Sequence, residues 1–280
     1  MIPSTFQYKR ANSVSEAISM LSDDSKILAG GHSLLPSIKL RLNQPEALID
    51  ISRLEELKGI TDADDHIVIG AGATHGEIAE SNIVRGACSM LADGAGQIGD
   101  IQVRNVGTIG GSLAHADPAA DWPALVIAAE ATIRVQGPSG TRDIAASSFF
   151  TGFYETALTD NEIIIQIHVP KLMAGSSSTY VKFVQPASRF AIVGCAVVNN
   201  ADQGEVGNIK VAITGVSEMA YRAHGVEDEL MGQVLTDEAI AKASARAAEN
   251  MDVMSDHYAS EKYRKHLAQV YVKKALEALK

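Results

Sequence analysis

The sequence predicts an α+β protein with two domains, over residues 1–174 and 175–280. Three observations lead to this prediction. Short apolar runs alternate with helix-start signals through the first half of the chain. The stretch from Pro170 to Ser178, with one glycine and three serines, then interrupts this pattern as a linker would. Beyond it, three apolar runs with strand character precede an amphipathic helix.

The N-terminal elements begin with Ser13 and Glu16, which have the spacing of a capping box and predict a helix over residues 14–21. Apolar runs at residues 26–29 and 47–51 predict two strands. The glycines and proline between these runs indicate a loop and a short helix. The order of elements is therefore strand, glycine loop, short helix and strand.

The second expected subdomain covers about residues 56–174 and follows the first, which covers about residues 1–55. Its strands are predicted over residues 66–69, 131–136 and 162–169. Thr74 has capping-box spacing with Glu77 and predicts a helix that reaches about Leu91.

Residues 93–118 carry six glycines, few charges and no helical period, so a long irregular segment is predicted. A segment of this length without secondary structure inside a domain is usually functional. It is followed by Asp121, an expected N-cap with a proline in the first turn, and by a helix to about Glu130.

The C-terminal domain is predicted to contain a small antiparallel sheet and helices. Its strands are predicted over residues 179–185, 190–198 and 208–216, and its last helix over residues 258–279. A polar turn around Asp202 and Gly204 joins the last two strands, which predicts a hairpin.

Composition argues against several classes of function. The 24 Lys and Arg residues against 34 Asp and Glu residues give a net charge of −10, which disfavours nucleic acid and anionic membranes as partners. No apolar run has the character of a membrane span or a signal peptide, so a cytoplasmic location is expected. The two cysteines, Cys88 and Cys195, are too few for a four-cysteine cluster or zinc site.

Two motifs share one chemical pattern, a glycine pair with a hydroxyl close behind it. They are Ala29-Gly30-Gly31-His32-Ser33 and Thr108-Ile109-Gly110-Gly111-Ser112. Paired glycines allow positive φ and let backbone N–H groups converge on an anion, and the hydroxyl adds a further donor. Such a site would suit a diphosphate. Either motif alone would be explained as well by a tight turn.

A Rossmann-type NAD site is the rival interpretation. Gly94, Gly96 and Gly99 have the literal G-x-G-x-x-G spacing, but they follow a predicted helix and not a strand. Gly70 and Gly72 stand between a strand and a helix, but the third glycine of that motif comes one position late. Neither place fits a dinucleotide motif of this kind.

Three longer stretches carry a family resemblance. They are AGGHSLLP at residues 29–36, QVRNVGTIGGS at residues 102–112 and DPAAD at residues 117–121. EIIIQIHVP at residues 162–170 and YVKF at residues 180–183 follow in the same order. With this order and spacing, nearly the whole chain resembles the medium, FAD-binding subunit of the xanthine dehydrogenase and carbon monoxide dehydrogenase family.

The resemblance implies a vanillyl-alcohol-oxidase-type (PCMH-like) FAD-binding fold of two subdomains, with the C-terminal α+β domain covering the flavin. Both glycine motifs would hold the FAD diphosphate. By matching positions, Asp121 resembles an acid that binds ribityl or ribose hydroxyls, Ile164 a wall of the flavin site, and Lys182 a cation near the pyrimidine end. The expected cofactor-binding residues are Ala29, Gly30, Gly31, His32, Ser33, Leu34, Thr108, Ile109, Gly110, Gly111, Ser112, Asp121, Ile164 and Lys182.

From the residues alone, several of these positions have simpler explanations. Asp121 is explained as well by a helix cap, Ile164 by plain core and Lys182 by a surface charge. His75 and His115 have no partner at metal-ligand spacing and are interpreted as core or surface residues. The sequence leaves open the roles of His32, Arg104, Tyr180 and Arg189.

The function implied by the resemblance is an electron relay. A large partner subunit with molybdopterin would hydroxylate the substrate, and a small 2Fe-2S partner would pass the electrons to FAD on this chain. An external acceptor would then take them, in an assembly of two three-subunit units, (αβγ)2. No catalytic or metal-ligating residue is expected on this chain.

Two alternatives stay open. An independent FAD-dependent oxidoreductase would need a general base or nucleophile near the flavin, and a non-redox nucleotide-binding assembly protein would need neither. Two departures from the family pattern are visible. Ser112 stands where relatives often have Asn, and two cysteines are too few for the inserted 4Fe-4S cluster of some relatives.

Overall fold

The chain forms four β-sheets and a set of mostly short helices over residues 2–202 and 205–280, which the structure, a computed structural model, describes. The strands in chain order are β1 (Gln7–Arg10), β2 (Ser25–Leu28), β3 (Ala47–Asp50), β4 (Ile60–Asp62), β5 (His66–Gly70), β6 (Thr132–Gly137), β7 (Gly140–Ala145), β8 (Phe150–Gly152), β9 (Glu155–Thr156), β10 (Ile163–Pro170), β11 (Ser177–Val184), β12 (Ala191–Asp202), β13 (Glu205–Thr214) and β14 (Tyr221–Arg222). The helices are α1 (Val14–Met20), α2 (Leu34–Lys39), α3 (His75–Glu80), α4 (Asn82–Ala87), α5 (Ser89–Gly96), α6 (Ile101–Arg104), α7 (Ile109–His115), α8 (Trp122–Ala128), α9 (His224–Leu230), α10 (Asp237–Ser244) and α11 (Glu261–Glu277).

The first sheet is parallel, with the order β1-β3-β2, and is covered by α1. Ser13 caps α1 as predicted, because its hydroxyl accepts from the Glu16 N–H at 3.0 Å. Val14, Ala17 and Ile18 of α1 are buried against the central strand. Strand β1 was not predicted, because its four residues are all exposed and show no alternation.

The second sheet is antiparallel, with the order β4-β5-β10-β6-β7. Its central strand β10 comes last in the sequence. The three strands predicted for this region are confirmed, whereas β4 and β7 at the edges were not predicted. A bulge between Ile164 and Gln166 bends β10 next to the turn that follows β5, where Ala71 N–H donates to Ile165 O.

The single helix predicted from Thr74 to Leu91 is wrong in extent. The capping box of Thr74 and Glu77 is formed, but α3, α4 and α5 replace one continuous helix. The breaks fall at Ser81 and Cys88, which are both extended. Ser81 starts a new helix by accepting from the Val84 N–H, so a local cap overrides the helical period.

The irregular segment predicted over residues 93–118 is also wrong, because α5, α6 and α7 occupy much of it. Its glycines permit close packing and not only turns. A methyl group on Gly94 would lie 2.5 Å from Leu125 Cδ1, and one on Gly110 would lie 2.7 Å from Ala71 O. Glycine on a buried helix face leaves no apolar period for sequence analysis to detect.

The C-terminal sheet is antiparallel, with the order β11-β12-β13-β14. Alternate residues of β12 face opposite layers. Cys195 and Val197 pack with the C-terminal helices, whereas Ala196 and Val198 pack with the N-terminal core. The predicted pairing of the last two long strands is confirmed, and the predicted turn residue Gly204 lies outside the described residues. No helix of the described residues is long and apolar enough to cross a membrane.

Candidate functional site

Both glycine motifs line a single cleft of about 1000 Å³. The first motif leaves strand β2, the second begins helix α7, and the loop at residues 188–190 borders the same cleft. Pockets for drug-sized ligands have volumes of about 300–1,000 Å³, so this cleft can hold a large ligand.

The two motifs approach each other through Gly30. A methyl group on Gly30 would lie 2.3 Å from Val106 O and 2.9 Å from Gly107 Cα. Only glycine allows this contact, because the atoms in the way are backbone atoms that cannot rotate aside. The sequence therefore brings together two segments that are far apart in the chain.

The first motif offers free backbone donors. The N–H groups of residues 30–34 donate to no acceptor among the described residues, and Ser33 makes no side-chain cap to α2. Gly31 has φ of +70°, a conformation that favours glycine. His32 folds back, with Nδ1 2.8 Å from Gly30 O. These five N–H groups are available to an anion in the cleft.

The second motif differs from the loop that was predicted. Thr108 is the N-cap of α7, and the following four N–H groups all have acceptors within the protein. The donors are Ile109, Gly110, Gly111 and Ser112, and their acceptors are Ala73 O, Ala71 O, Thr108 Oγ1 and Thr108 O, at 3.1, 2.9, 3.1 and 3.0 Å respectively. Neither glycine has positive φ. This motif therefore contributes a surface without side chains and the Ser112 hydroxyl.

Asp121 lies at the cleft with 4% exposure and occupies the predicted N-cap position of α8, but its side chain makes no capping hydrogen bond. Its carboxylate accepts a hydrogen bond from the Tyr180 hydroxyl. It also accepts from Lys182 Nζ, which lies 2.9 Å from Oδ1 and 3.0 Å from Oδ2. These partners belong to β11, so they hold the carboxylate away from the N–H groups of α8. Burial raises the pKa of Asp121, and the Lys182 ammonium opposes this shift.

Lys182 does not line the cleft. Its side chain has no exposed surface, and its ammonium also donates to Gln97 O and Arg189 O, both at 2.9 Å. With Asp121, these acceptors use all three N–H groups. The structure therefore places Lys182 behind Asp121, where it makes no direct contact with a ligand in the cleft.

Two isoleucines of the expected site have different surroundings. Ile164, at 5% exposure on β10, lines the cleft beside the bulge. Ile109 has no exposed surface and packs into the core, so it is a structural residue of the second motif. The other expected residues of both motifs line the cleft.

Sequence reasoning missed His75 and Tyr154 at the cleft, and it left open the role of Arg104 beside it. His75 borders the cleft and is 95% buried, and nothing in its sequence context distinguishes it from a core histidine. Tyr154, also at the cleft, donates to Asp117 Oδ2 at 3.0 Å. Arg104 donates to Ile98 O and Gly99 O, and so braces the turn before α6. Among the described residues, no group of His, Cys, Asp and Glu side chains could hold a metal ion.

This α+β fold defines a class of protein with one large cleft, which has free backbone N–H donors on one side and the buried Asp121 carboxylate on another. Residues 4–172 match the family described as the FAD binding domain in molybdopterin dehydrogenase. Residues 178–279 match the CO dehydrogenase flavoprotein C-terminal domain.

The chain is 41% identical to the carbon monoxide dehydrogenase medium chain of Hydrogenophaga pseudoflava, over 99% of this chain and 98% of the relative. It is 35% identical to the glyceraldehyde dehydrogenase medium chain of Sulfolobus acidocaldarius, over 99% of each. The fold superimposes on a solved carbon monoxide dehydrogenase chain from Hydrogenophaga pseudoflava with a TM-score of 0.97 and 42% identity, covering 100% of this chain and 98% of that one. The chain therefore belongs to the family of FAD-binding medium subunits of molybdenum hydroxylases.

Proposed function

We propose that FAD occupies the cleft with its diphosphate at the free N–H groups of residues 30–34. These five N–H groups are the observation that carries the proposal. If four of them make charge-assisted hydrogen bonds worth about 1.5–3 kcal/mol each, their sum is comparable to micromolar binding. Local backbone donors of this strength can therefore bind a diphosphate even though the chain carries a net charge of −10.

The remaining residues fit the rest of the cofactor. Asp121 has accepting capacity left on its carboxylate and would bind ribityl or ribose hydroxyls, while Ile164 would form an apolar wall. Ser112 would add a hydroxyl, and the bare surface of Gly111 would let the ligand approach the backbone. Lys182 would act through Asp121, because its own N–H groups are used.

FAD supplies reversible electron acceptance, and this chain supplies binding, orientation and exclusion of water. As in the family, a large subunit with molybdopterin would hydroxylate the substrate, and a small 2Fe-2S subunit would deliver the electrons. An external acceptor would remove them. The proposed assembly is (αβγ)2, and a cytoplasmic location is part of the proposal.

The proposal extends to the architecture. Residues 1–174 would form a vanillyl-alcohol-oxidase-type (PCMH-like) domain whose two subdomains meet at residue 55, and residues 175–280 a flavoprotein C-terminal domain. The ranges of the two family matches, 4–172 and 178–279, support this division.

Titration of the purified chain with FAD tests the binding site. We expect one FAD per chain and loss of binding in Gly31→Val, because a β-branched residue at φ of +70° is strained and its Cβ would lie 3.0 Å from Leu28 and Leu35 atoms. Gly86→Ala is the matched control, since nothing lies within 4 Å of its added methyl group. A wild-type chain that does not bind FAD would refute the proposal.

A second experiment tests the electron relay. The FAD-loaded chain is mixed anaerobically with a reduced 2Fe-2S subunit, and the flavin absorbance is followed. Bleaching of the flavin band is expected for a redox module. A chain that binds FAD but takes up no electrons would instead be a nucleotide-binding assembly protein.

A further inference from the structure

His75 occupies the junction between the two glycine motifs. It is the first residue of α3, and its backbone N–H donates to Gly107 O at 3.0 Å. A methyl group on Gly107 would lie 2.8 Å from His75 Nε2, so the ring edge rests against the glycine that precedes the second motif. The same glycine lies against Gly30 of the first motif.

Trp122 determines which nitrogen of His75 carries the proton. The Trp122 indole donates from Nε1 to His75 Nδ1 at 3.0 Å. An indole nitrogen can only donate, so Nδ1 must present its lone pair and the proton of the neutral ring lies on Nε2. Trp122 has no exposed surface, and the packed core therefore fixes this tautomer.

The Nε2–H group of His75 has no hydrogen-bond partner in the part of the chain that the structure describes. It makes no hydrogen bond to any of the described residues, although the side chain is 95% buried and borders the cleft. Buried donors in folded proteins nearly always have an acceptor. The Nε2 atom is not one of the fully buried atoms without a partner, so it reaches the cleft, where water or a bound ligand supplies its acceptor.

The ring is neutral across the physiological range. Burial is the main reason that the pKa of His75 falls to about 4, and electrostatic interactions with His32 and Arg104 lower it further. Protonation would also place an N–H on Nδ1 facing the indole N–H. His75 therefore presents one N–H donor, on Nε2, to the cleft, and its ring does not change charge at physiological pH.

We propose that His75 is a cofactor-binding residue whose Nε2–H donates to an oxygen of the bound dinucleotide where the two glycine motifs meet. This rests on the proposed function, because the acceptor belongs to the ligand of the cleft. Trp122 is the positioning residue, since it acts only through the orientation and tautomer of His75.

Titration of wild-type, His75→Phe and His75→Gln chains with FAD tests the contact. Loss of one hydrogen bond to a charged or polar oxygen should weaken binding about ten- to a hundredfold in His75→Phe, and less in His75→Gln, which keeps a donor. Thermal melts of the FAD-free chains serve as the folding control. Wild-type binding with unchanged affinity in His75→Phe would overturn this inference and leave the proposed function standing.

Imidazole 15N NMR on the wild-type chain gives a test that needs no core substitution. We expect His75 to show the Nε2–H tautomer unchanged from pH 6 to pH 9, and FAD to shift its Nε2 resonance more than its Nδ1 resonance. In Trp122→Phe the tautomers should mix. A wild-type Nδ1–H tautomer, or an Nε2 resonance that FAD leaves unmoved, would contradict the proposal, whereas failure of FAD to bind at all would remove the proposed function with it.

Discussion

The ammonium of Lys182 lies 2.9 Å from one carboxylate oxygen of Asp121 and 3.0 Å from the other, with both side chains buried. The carboxylate stands at the start of α8 and the ammonium on β11, so the pair joins the N-terminal core to the C-terminal sheet. The Tyr180 hydroxyl donates to the same carboxylate from the same strand. This contact connects two regions that belong to different family matches.

Lys182→Met should destabilise the chain by about 3–5 kcal/mol, because it leaves the buried Asp121 carboxylate without its cation. Urea unfolding of the FAD-free chain measures the effect. Lys171→Met is the matched control: its ion pair with Asp62 is more exposed and should contribute less than about 1 kcal/mol. If Lys182→Met lowers the free energy of unfolding by no more than Lys171→Met does, the buried ion pair has no special structural role.

The free energy of unfolding should fall at low pH as the Glu162 carboxylate becomes protonated. Arg142 donates to both its carboxylate oxygens at 2.7 Å and lowers its pKa to about 2. A carboxylate with a pKa below its unfolded value stabilises the fold above that value, about 4.3, and loses this contribution as the pH falls towards 2. Urea midpoints of wild type and Glu162→Gln should therefore differ at pH 7, and this difference should shrink below about pH 4 and be nearly closed only at about pH 2. A gap that does not change with pH would contradict this, and exposed Glu55→Gln is the control.

Gly110→Ala should destabilise the chain by about 1–3 kcal/mol, because its methyl group would lie 2.7 Å from Ala71 O and Ala71 Cβ. Gly86→Ala, on the exposed side of α4, should instead stabilise it by about 0.5–1 kcal/mol. Thermal unfolding of the two variants provides the comparison. The opposite signs separate a packing requirement from ordinary helix propensity.

Thr108→Val should cost about 0.5–2 kcal/mol, because it removes the hydroxyl that accepts from Gly111 N–H at 3.1 Å. Thr108→Ser keeps this cap and should retain most of the stability. Chemical denaturation without FAD measures both. If the serine variant is as unstable as the valine variant, the methyl contact and not the cap is the important one.

Side-chain patterns predicted the elements that have one buried and one exposed face. The strands near His66, Thr132 and Ile163, and the caps at Ser13 and Thr74, follow from local alternation and local hydrogen bonds. Strands β1 and β7 did not follow, because edge strands with mostly exposed residues have no apolar alternation. Their pairing depends on neighbours that local sequence does not reveal.

The glycine motifs predicted which two segments meet at the cleft, but not what each motif contributes there. Gly31 requires a positive φ, whereas Gly110 requires the absence of a side chain against Ala71. A positive φ and the absence of a side chain both require glycine, so the sequence does not show which of the two applies at a given position. The sequence also favours a capping role for the Asp121 side chain, because Lys182, which binds its carboxylate in the structure, is 61 positions further along the chain.

The position of strand β10 limits the order in which the two N-terminal sheets can fold during synthesis. Strands β5 and β6 each pair with β10 and are held apart by it, although β10 is the last of the five to be synthesised. A chain emerging from the ribosome cannot close this sheet before Pro170, whereas the parallel sheet is complete by Asp50. Long-range pairing of this kind slows folding. The cleft, which Ile164 of β10 lines, is therefore incomplete until this strand has been translated, although both glycine motifs come earlier in the chain.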